Sequence, residues 1–300
     1  MQLQVTHSSH FDYSAPVSLA HHLALLQPLQ DAQQQLLDFS IAVEPAADTY
    51  SDGRDLQGNA CRWFSILKQH DELIVTSTSR VQLQPRAAEL RSETSPPWDA
   101  LAARLRYSAG APFDAAVEFT MPSPFVPRLQ VLHDYAASSM LPGRPVASVA
   151  IELMQRIHDD FKYESRSTQI ETPLKQAFAQ RRGVCQDFAH VMIGALRMHG
   201  VPARYVSGYL LTQPAVAGPH LVGADASHAW VQVYCPGTQG VGGDGWLDLD
   251  PTNEILPDAG HVRLAVGRDF GDVTPLRGVI RGGGHHSLSV AVTTLVMNNN

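Results

Sequence analysis

Residues 1 to about 85 alternate between apolar and polar positions in the manner of half-buried strands: Leu3 and Val5, then Leu37, Phe39, Ile41 and Val43, then Leu73, Val75, Val81 and Leu83. The clusters Ser51-Asp52-Gly53 and Gln57-Gly58-Asn59 suit turns between these runs. A β-rich domain over 1–85 is the expectation. Over 86–145 the alternation weakens. Pro96-Pro97, Pro122, Pro124 and Pro127 interrupt short helix-like stretches, Trp98 to Tyr107 and Leu129 to Met140, which predicts a helical connecting segment.

From 146 to 297 the pattern changes to helices followed by strands. Ala150, Leu153, Met154, Ile157 and Phe161 recur at helical spacing over about 147–162. A second helix is expected to start at Thr172-Pro173, where threonine caps and proline suits the first turn. It would end near Arg181-Arg182-Gly183, cations in its last turn and glycine just beyond. A third, over about 185–199, has Ala189, Met192, Ile193 and Leu196 on its buried side and is stopped by Gly200 and Pro202. Strands are predicted at about 203–211, 228–235 and 245–250, and a last alternating run holds Leu288, Val290 and Val292. Helices first and strands after them give an α+β layout rather than a parallel βαβ one. No internal repeat is visible, and Asn298 to Asn300 reads as a disordered end.

Composition narrows the function classes. The 300 residues, 44% of them hydrophobic, suffice for a sizeable core. A net charge of −7 with no basic run speaks against nucleic acid as a partner. No stretch approaches the roughly 20 consecutive apolar residues of a membrane span, and the opening MQLQVTHSSHF lacks the pattern of a signal peptide. Cys61, Cys185 and Cys235 are odd in number and far apart, unlike a disulfide framework. A soluble, cytoplasmic protein is the expectation. The histidine pairs His21-His22 and His285-His286 lack the spacing of a structural zinc site, and no metal or other cofactor is expected.

Three segments carry candidate chemistry. In RRGVCQDFA, Cys185 opens a helix, where unpaired N–H groups and the positive dipole end favour a thiolate; Gly183 permits a close backbone approach. A buried structural cysteine is the bland alternative. In SHAWVQVYC, strand alternation puts His228, Trp230, Gln232 and Tyr234 on one face and the core residues Ala229, Val231 and Val233 on the other. Cys235 falls opposite His228, a poor position for a nucleophile. In GWLDLDPTN, Trp246, Asp248 and Asp250 share a face and Pro251 ends the strand. A carboxylate there can hold an imidazole in one tautomer, and parity does not separate Asp248 from Asp250. His190 lies about 140° around the helix from Cys185, a weak position for a base. Thiol, imidazole and carboxylate in this order match a nucleophile, a base and an orienting group.

The runs GVCQDFAH at 183–190, SHAWVQVY at 227–234 and WLDLDPTN at 246–253 resemble the core of the bacterial transglutaminase-like superfamily, relatives of the papain-like cysteine proteases. The N-terminal region is similar to the β-rich domain often fused ahead of that core, and GRDFGDVTPLRGVIRGGG at 267–284 to the family's C-terminal loop. The resemblance implies helices packed on an antiparallel sheet, with Cys185 as nucleophile, His228 as base and Asp250 as orienting acid. Beyond the Cys185 N–H, Tyr163 is the candidate side-chain oxyanion donor. No acidic loop like the calcium sites of animal transglutaminases is present. The implied activity is acyl transfer on a peptide or protein amide through a thioester, with hydrolysis the default because bulk water is the default acceptor. Two alternatives stay open: amine transfer by a protein-glutamine transglutaminase, and a non-catalytic scaffold that binds partners at strand edges of the first domain.

Overall fold

The computed structural model describes residues 1–85, 89–110, 112–165, 167–211 and 227–297; the expected end at Asn298 to Asn300 lies outside them. The first region is β-rich as anticipated: β1 (Gln2–Ala24), β2 (Gln34–Glu44), β3 (Thr49–Arg54), β4 (Ala60–Ile66) and β5 (His70–Leu83). β1 is far longer than Leu3 and Val5 announce. Its inward positions run on through His7 and Ser9, polar residues that satisfy each other, with a hydrogen bond between His7 Nε2 and Ser9 Oγ at 2.9 Å and one between His7 Nδ1 and the Tyr209 hydroxyl at 3.1 Å. Burial lowers the His7 pKa to about 4, consistent with a neutral ring.

Ser51-Asp52-Gly53 is not a turn. It forms the middle of β3, an exposed strand paired with β4, and Gly53 lies under the Trp63 ring. The turn falls at Gln57-Gly58, where Gly58 has a φ of 86°.

The connecting segment contains α1 (Trp98–Arg104) and α2 (Gln130–Ala136) with short 3₁₀ helices at Ser92–Thr94 and Ala115–Thr120. Then come α3 (Val146–Asp160), β6 (Lys162–Tyr163), α4 (Leu174–Gln180), β7 (Arg182–Gly183) and α5 (Cys185–Met198), followed by β8 (Ala203–Leu210), β9 (His228–Tyr234), β10 (Trp246–Leu249) and β11 (His261–Gly267). The four long strands form an antiparallel sheet in the order β10-β9-β8-β11. Helix α5 is buried along nearly its whole length. Its Phe188, Met192 and Leu196 join Leu153 and Ile157 of α3, Leu132 of α2 and the Ala229, Val231, Val233 and Leu249 face of the sheet in one core. This is the α+β architecture expected from the order of elements.

The chain ends differently from expectation. Residues 267–284 are not a loop: α6 (Phe270–Val273) and β12 (Leu276–Gly282) occupy most of them. Neither β12 nor β13 (His286–Val296) extends the core sheet. Both pair with β1, β12 along Val17 to Ala24 and β13 along Leu3 to Tyr13, on the side opposite β4 and β5. The first sheet is therefore closed by the last strands. Its Leu3, Val5, Val81, Leu83 and Val292 pack on Tyr209, Val262 and Leu264 of the core sheet, so both faces of the core sheet are covered. Among the described residues no helix is long and apolar enough to cross a membrane.

Candidate active site

The approach to Cys185 is built by three local devices. Helix α4 runs from Leu174, just past the expected start at Thr172-Pro173, to Gln180, so it stops before the two arginines expected in its last turn. Pro173 precedes its first turn without a side-chain cap, and Arg181 turns left-handed at φ 52°. Glycine usually takes that position. Here the guanidinium is held over Phe178, Tyr135 and Phe161, 4.1, 4.7 and 4.8 Å from the ring centroids, and each such contact is worth about 0.5–1 kcal/mol.

Next, β7 pairs in parallel with β6, Lys162 N–H donating to Arg181 O and Glu164 N–H to Gly183 O, both at 2.9 Å. This places Tyr163 beside Gly183, two residues ahead of the thiol. Finally Asp187, in the first turn of α5, turns its carboxylate back to accept from Val184 N–H at 2.8 Å and from the Thr168 hydroxyl at 2.6 Å. The Asp187 side chain passes so close to Gly183 that any β-carbon there would sit 2.6 Å from its Cβ. Asp187 is buried, which raises its pKa, so it is no solvated first-turn residue; Gln186 ties down the neighbouring segment by donating to Ile170 O at 3.1 Å. Cys185 itself remains partly accessible at the open end of the helix.

His228 opens β9 opposite Gly208 of β8 and is 1% exposed. It alternates with Ala229 and Val231, which pack in the core with α5, and is itself buried. Trp230, two residues on, lies 6.1 Å away in a stacked arrangement and fills the space made by Gly208, where a β-carbon would meet its Cζ3 at 2.6 Å. The Trp230 indole N–H donates to Asp248 Oδ1 at 2.7 Å, and Arg263 Nη1 stands 3.6 Å from the other oxygen. Asp248 is thus committed to Trp230 and Arg263.

Asp250, just past β10, meets His228 instead: Nε2 to Oδ2 is 2.9 Å. The same oxygen accepts from Asn253 Nδ2 at 2.8 Å and faces His261 Nε2 at 3.2 Å. Oδ1 accepts from the backbone N–H groups of Thr252 at 3.0 Å and Asn253 at 3.2 Å. Pro251 ends the strand and starts the turn that supplies these donors.

The electrostatics follow from this cage. Burial penalises the charged imidazole, but the Asp250 carboxylate overrides it and the Cys185 thiol adds to the effect, so the His228 pKa rises to about 10. Burial likewise opposes the Asp250 charge, yet His228 and His261 hold its carboxyl far below the usual range. With Nε2 on Asp250, His228 Nδ1 is the nitrogen left for chemistry. It is buried without a hydrogen-bond partner, and Cys185 is among the groups that favour a proton on the ring. Catalytic hydrogen bonds commonly tighten only when substrate binds.

The remaining candidates lie elsewhere. His190 accepts from Phe270 N–H at 3.2 Å, stacks on Phe125, and has its pKa lowered to about 3 by burial against the pull of Asp269. Cys235 is fully buried in the core, and burial pushes its thiol pKa up. His21 turns to Ser65 Oγ at 2.7 Å while His22 stacks on Phe64, on opposite faces of β1, so this pair cannot close on one ion. His228, Asp250 and His261 bring three ligand-type atoms within 4.8 Å of one another, but all three are engaged in the contacts above and form a hydrogen-bonded array. His261 carried no signal in the sequence beyond its place at a strand start after Gly260.

Comparison with known proteins agrees with this fold. Residues 3–82 match the bacterial transglutaminase-like N-terminal region and residues 134–251 the transglutaminase-like superfamily. An uncharacterised protein of Mycobacterium tuberculosis is 38% identical over 279 residues, covering 92% of this chain and 87% of the relative. A Mycobacterium leprae protein, also uncharacterised, is 30% identical over 97% of each chain. A protein-glutamine gamma-glutamyltransferase of Pseudomonas aeruginosa is 33% identical over 135 residues, 44% of this chain and 19% of its own. The solved structure of a Cytophaga hutchinsonii protein provisionally named a cysteine protease superposes with a TM-score of 0.71 at 22% identity, covering 100% of this chain and 92% of that one. With both regions matched in order and relatives similar along nearly its whole length, the chain belongs to the transglutaminase-like superfamily.

Proposed function

We propose that the protein is a thiol-dependent acyl-transfer enzyme acting on peptide or protein amides, with Cys185 as nucleophile, His228 as acid and base, and Asp250 as the group that orients the histidine. The observation that carries this reading is the buried His228 held through Nε2 by the Asp250 carboxylate at 2.9 Å, with Nδ1 left without a hydrogen bond and Cys185 among the groups that raise its pKa. Proton transfer from Cys185 to Nδ1 gives a thiolate and an imidazolium whose charge Asp250 balances. The thiolate attacks the amide carbonyl, and the oxyanion that forms faces the unpaired Cys185 N–H at the start of α5, with Tyr163 as a second donor. The imidazolium gives its Nδ1 proton to the departing amine, the C–N bond breaks and a thioester remains. Water, deprotonated by the now neutral Nδ1, attacks the thioester and releases the acid and the thiol.

We favour hydrolysis because water reaches a partly exposed thiol without a dedicated pocket. The gamma-glutamyl transfer named for the Pseudomonas relative supports an amine as second acceptor for the same thioester. The thiols of Cys61, Cys185 and Cys235 are all unpaired and fit a reducing cytoplasm. The test is incubation of glutamine-containing peptides with a labelled primary amine, read by mass spectrometry with Cys185→Ala as control. Cleavage or deamidation that needs Cys185 supports hydrolysis, stable amine incorporation at high yield assigns transfer, and no Cys185-dependent product removes the enzymatic reading.

A further inference from the structure

The Asp250 carboxylate serves two histidines. His261, at the start of β11, reaches Oδ2 with Nε2 at 3.2 Å, on the oxygen that His228 meets at 2.9 Å. Both rings are buried, their centroids 6.2 Å apart, and Trp230 packs beside both, stacked along His228 and edge-on to His261 at 5.2 Å and 85°. Trp230 is itself anchored through its indole N–H to Asp248. His261 N–H in turn donates to Asp258 O at 2.9 Å, which ties the start of β11 to the preceding turn.

A carboxylate offers about four lone-pair sites. Asp250 faces five donors: two backbone N–H groups on Oδ1 and three side chains on Oδ2. Its position would be held by the turn and Asn253 even without His261. What His261 adds is competition for the negative charge on the oxygen that faces His228. A buried carboxylate left entirely to one imidazolium binds its proton very strongly, and an acid that holds its proton too tightly is slow to give it to a leaving amine. The charged groups around His261 are Asp250 on one side and Asp248, Asp258 and Arg263 across a small cavity.

We propose that His261 is a positioning residue of the acyl-transfer site, which shares Asp250 Oδ2 with His228 and so limits how firmly the carboxylate holds the His228 proton. His261 keeps its place on Asp250 Oδ2 while His228 cycles between imidazolium and imidazole. The inference rests on the acyl-transfer reading of Cys185 and His228.

The experiment uses the full chain labelled with ¹⁵N-histidine and follows the His228 ring nitrogens through a pH titration by NMR, in the wild type and in H261F and H261Q. The phenylalanine fills the ring volume without a donor; the glutamine keeps an N–H donor of similar reach. Removal of the donor is expected to raise the pH at which His228 loses its proton by about half a unit or more, while H261Q stays near the wild type. A loosened site would shift it the other way, since His228 would lose its carboxylate. An unchanged or lowered midpoint in H261F overturns the proposal, as does an H261Q variant that behaves like H261F. If H261F does not fold, H261Q against the wild type, with its NMR line for Nε2 bound to Asp250, decides alone: a midpoint displaced downward by about a unit or more contradicts a shared carboxylate. Iodoacetamide labelling of Cys185 at pH 6 in the same wild-type sample keeps the two levels apart. A thiol no faster than a free one there counts against the acyl-transfer reading, whatever His261 does.

Discussion

Replacing Gly183 by alanine tests how the thiol is presented, without touching any group assigned a chemical role. The added methyl would lie 2.6 Å from Asp187 Cβ and 2.7 Å from its Cγ, closer than carbon atoms approach, and against the carboxylate oxygen as well. The clash is with the root of the side chain, so a change of rotamer alone does not relieve it. Either Asp187 swings away, giving up the bonds from Val184 N–H and Thr168 at 2.8 and 2.6 Å, or the first turn of α5 moves and carries Cys185 with it. Overpacking costs about 1–3 kcal/mol and hydrogen bonds to a charged group about 1.5–3 kcal/mol. Because the two outcomes are alternatives, the expected loss is about 1.5–3 kcal/mol in urea unfolding, with an unchanged slope. The Cys185 alkylation rate should fall in parallel. Gly260→Ala, where a methyl would meet open space, is the control and should change stability by less than about 0.5 kcal/mol. A Gly183→Ala protein within about 1 kcal/mol of wild type, with the thiol equally reactive, would refute the argument that this glycine makes room for the cap.

Two further predictions separate neighbouring groups. Asp248→Ala strands the Trp230 indole N–H and should cost about 1–3 kcal/mol of stability while leaving Cys185 reactive, whereas Asp250→Asn should suppress thiol reactivity at pH 6. Equal effects on reactivity would contradict the division of labour between the two aspartates. The His228 pKa is raised in the folded chain from 6.5 to about 10, so its stabilisation is fully present below about 6.5 and lost as pH rises toward 10. Asp250 is depressed, so its contribution is present above its unfolded value and lost in acid. The stability advantage of the wild type over His228→Gln, measured by unfolding from pH 5 to 9.5, should therefore shrink as pH rises. An advantage that grows with pH would mean the imidazole is held neutral.

Much of the site was legible because each of its parts has a local cause. A cysteine at a helix start, a histidine on the uncommitted face of a strand and an aspartate before Pro251 can all be read from neighbours in the chain. Asp248 and Asp250 share parity, and only the turn that brings Thr252 and Asn253 N–H groups to one of them tells the two apart. His261 was illegible because its reason for existing is Asp250, eleven residues earlier and just past another strand. In the first domain, alternation read from apolar residues stopped at Val5, since His7 and Ser9 occupy inward positions as a hydrogen-bonded pair. The closure of that sheet by β13 depends on a pairing such as Leu3 with Val296, across nearly the whole chain, for which neither segment carries a local sign. Likewise Ser51-Asp52-Gly53 has turn composition, but an edge strand with every side chain exposed tolerates it.

The central claim is that the thiol of Cys185 and the ring of His228 work as a pair. It is tested most directly by the rate of iodoacetamide alkylation of Cys185 at pH 6 in the wild type and in His228→Ala. A free thiol is less than about 1% ionised at that pH, so pairing predicts a rate about tenfold or more above that of glutathione, falling to the free-thiol level in the variant. A wild-type rate equal to that of glutathione, unchanged by His228→Ala, would contradict the account.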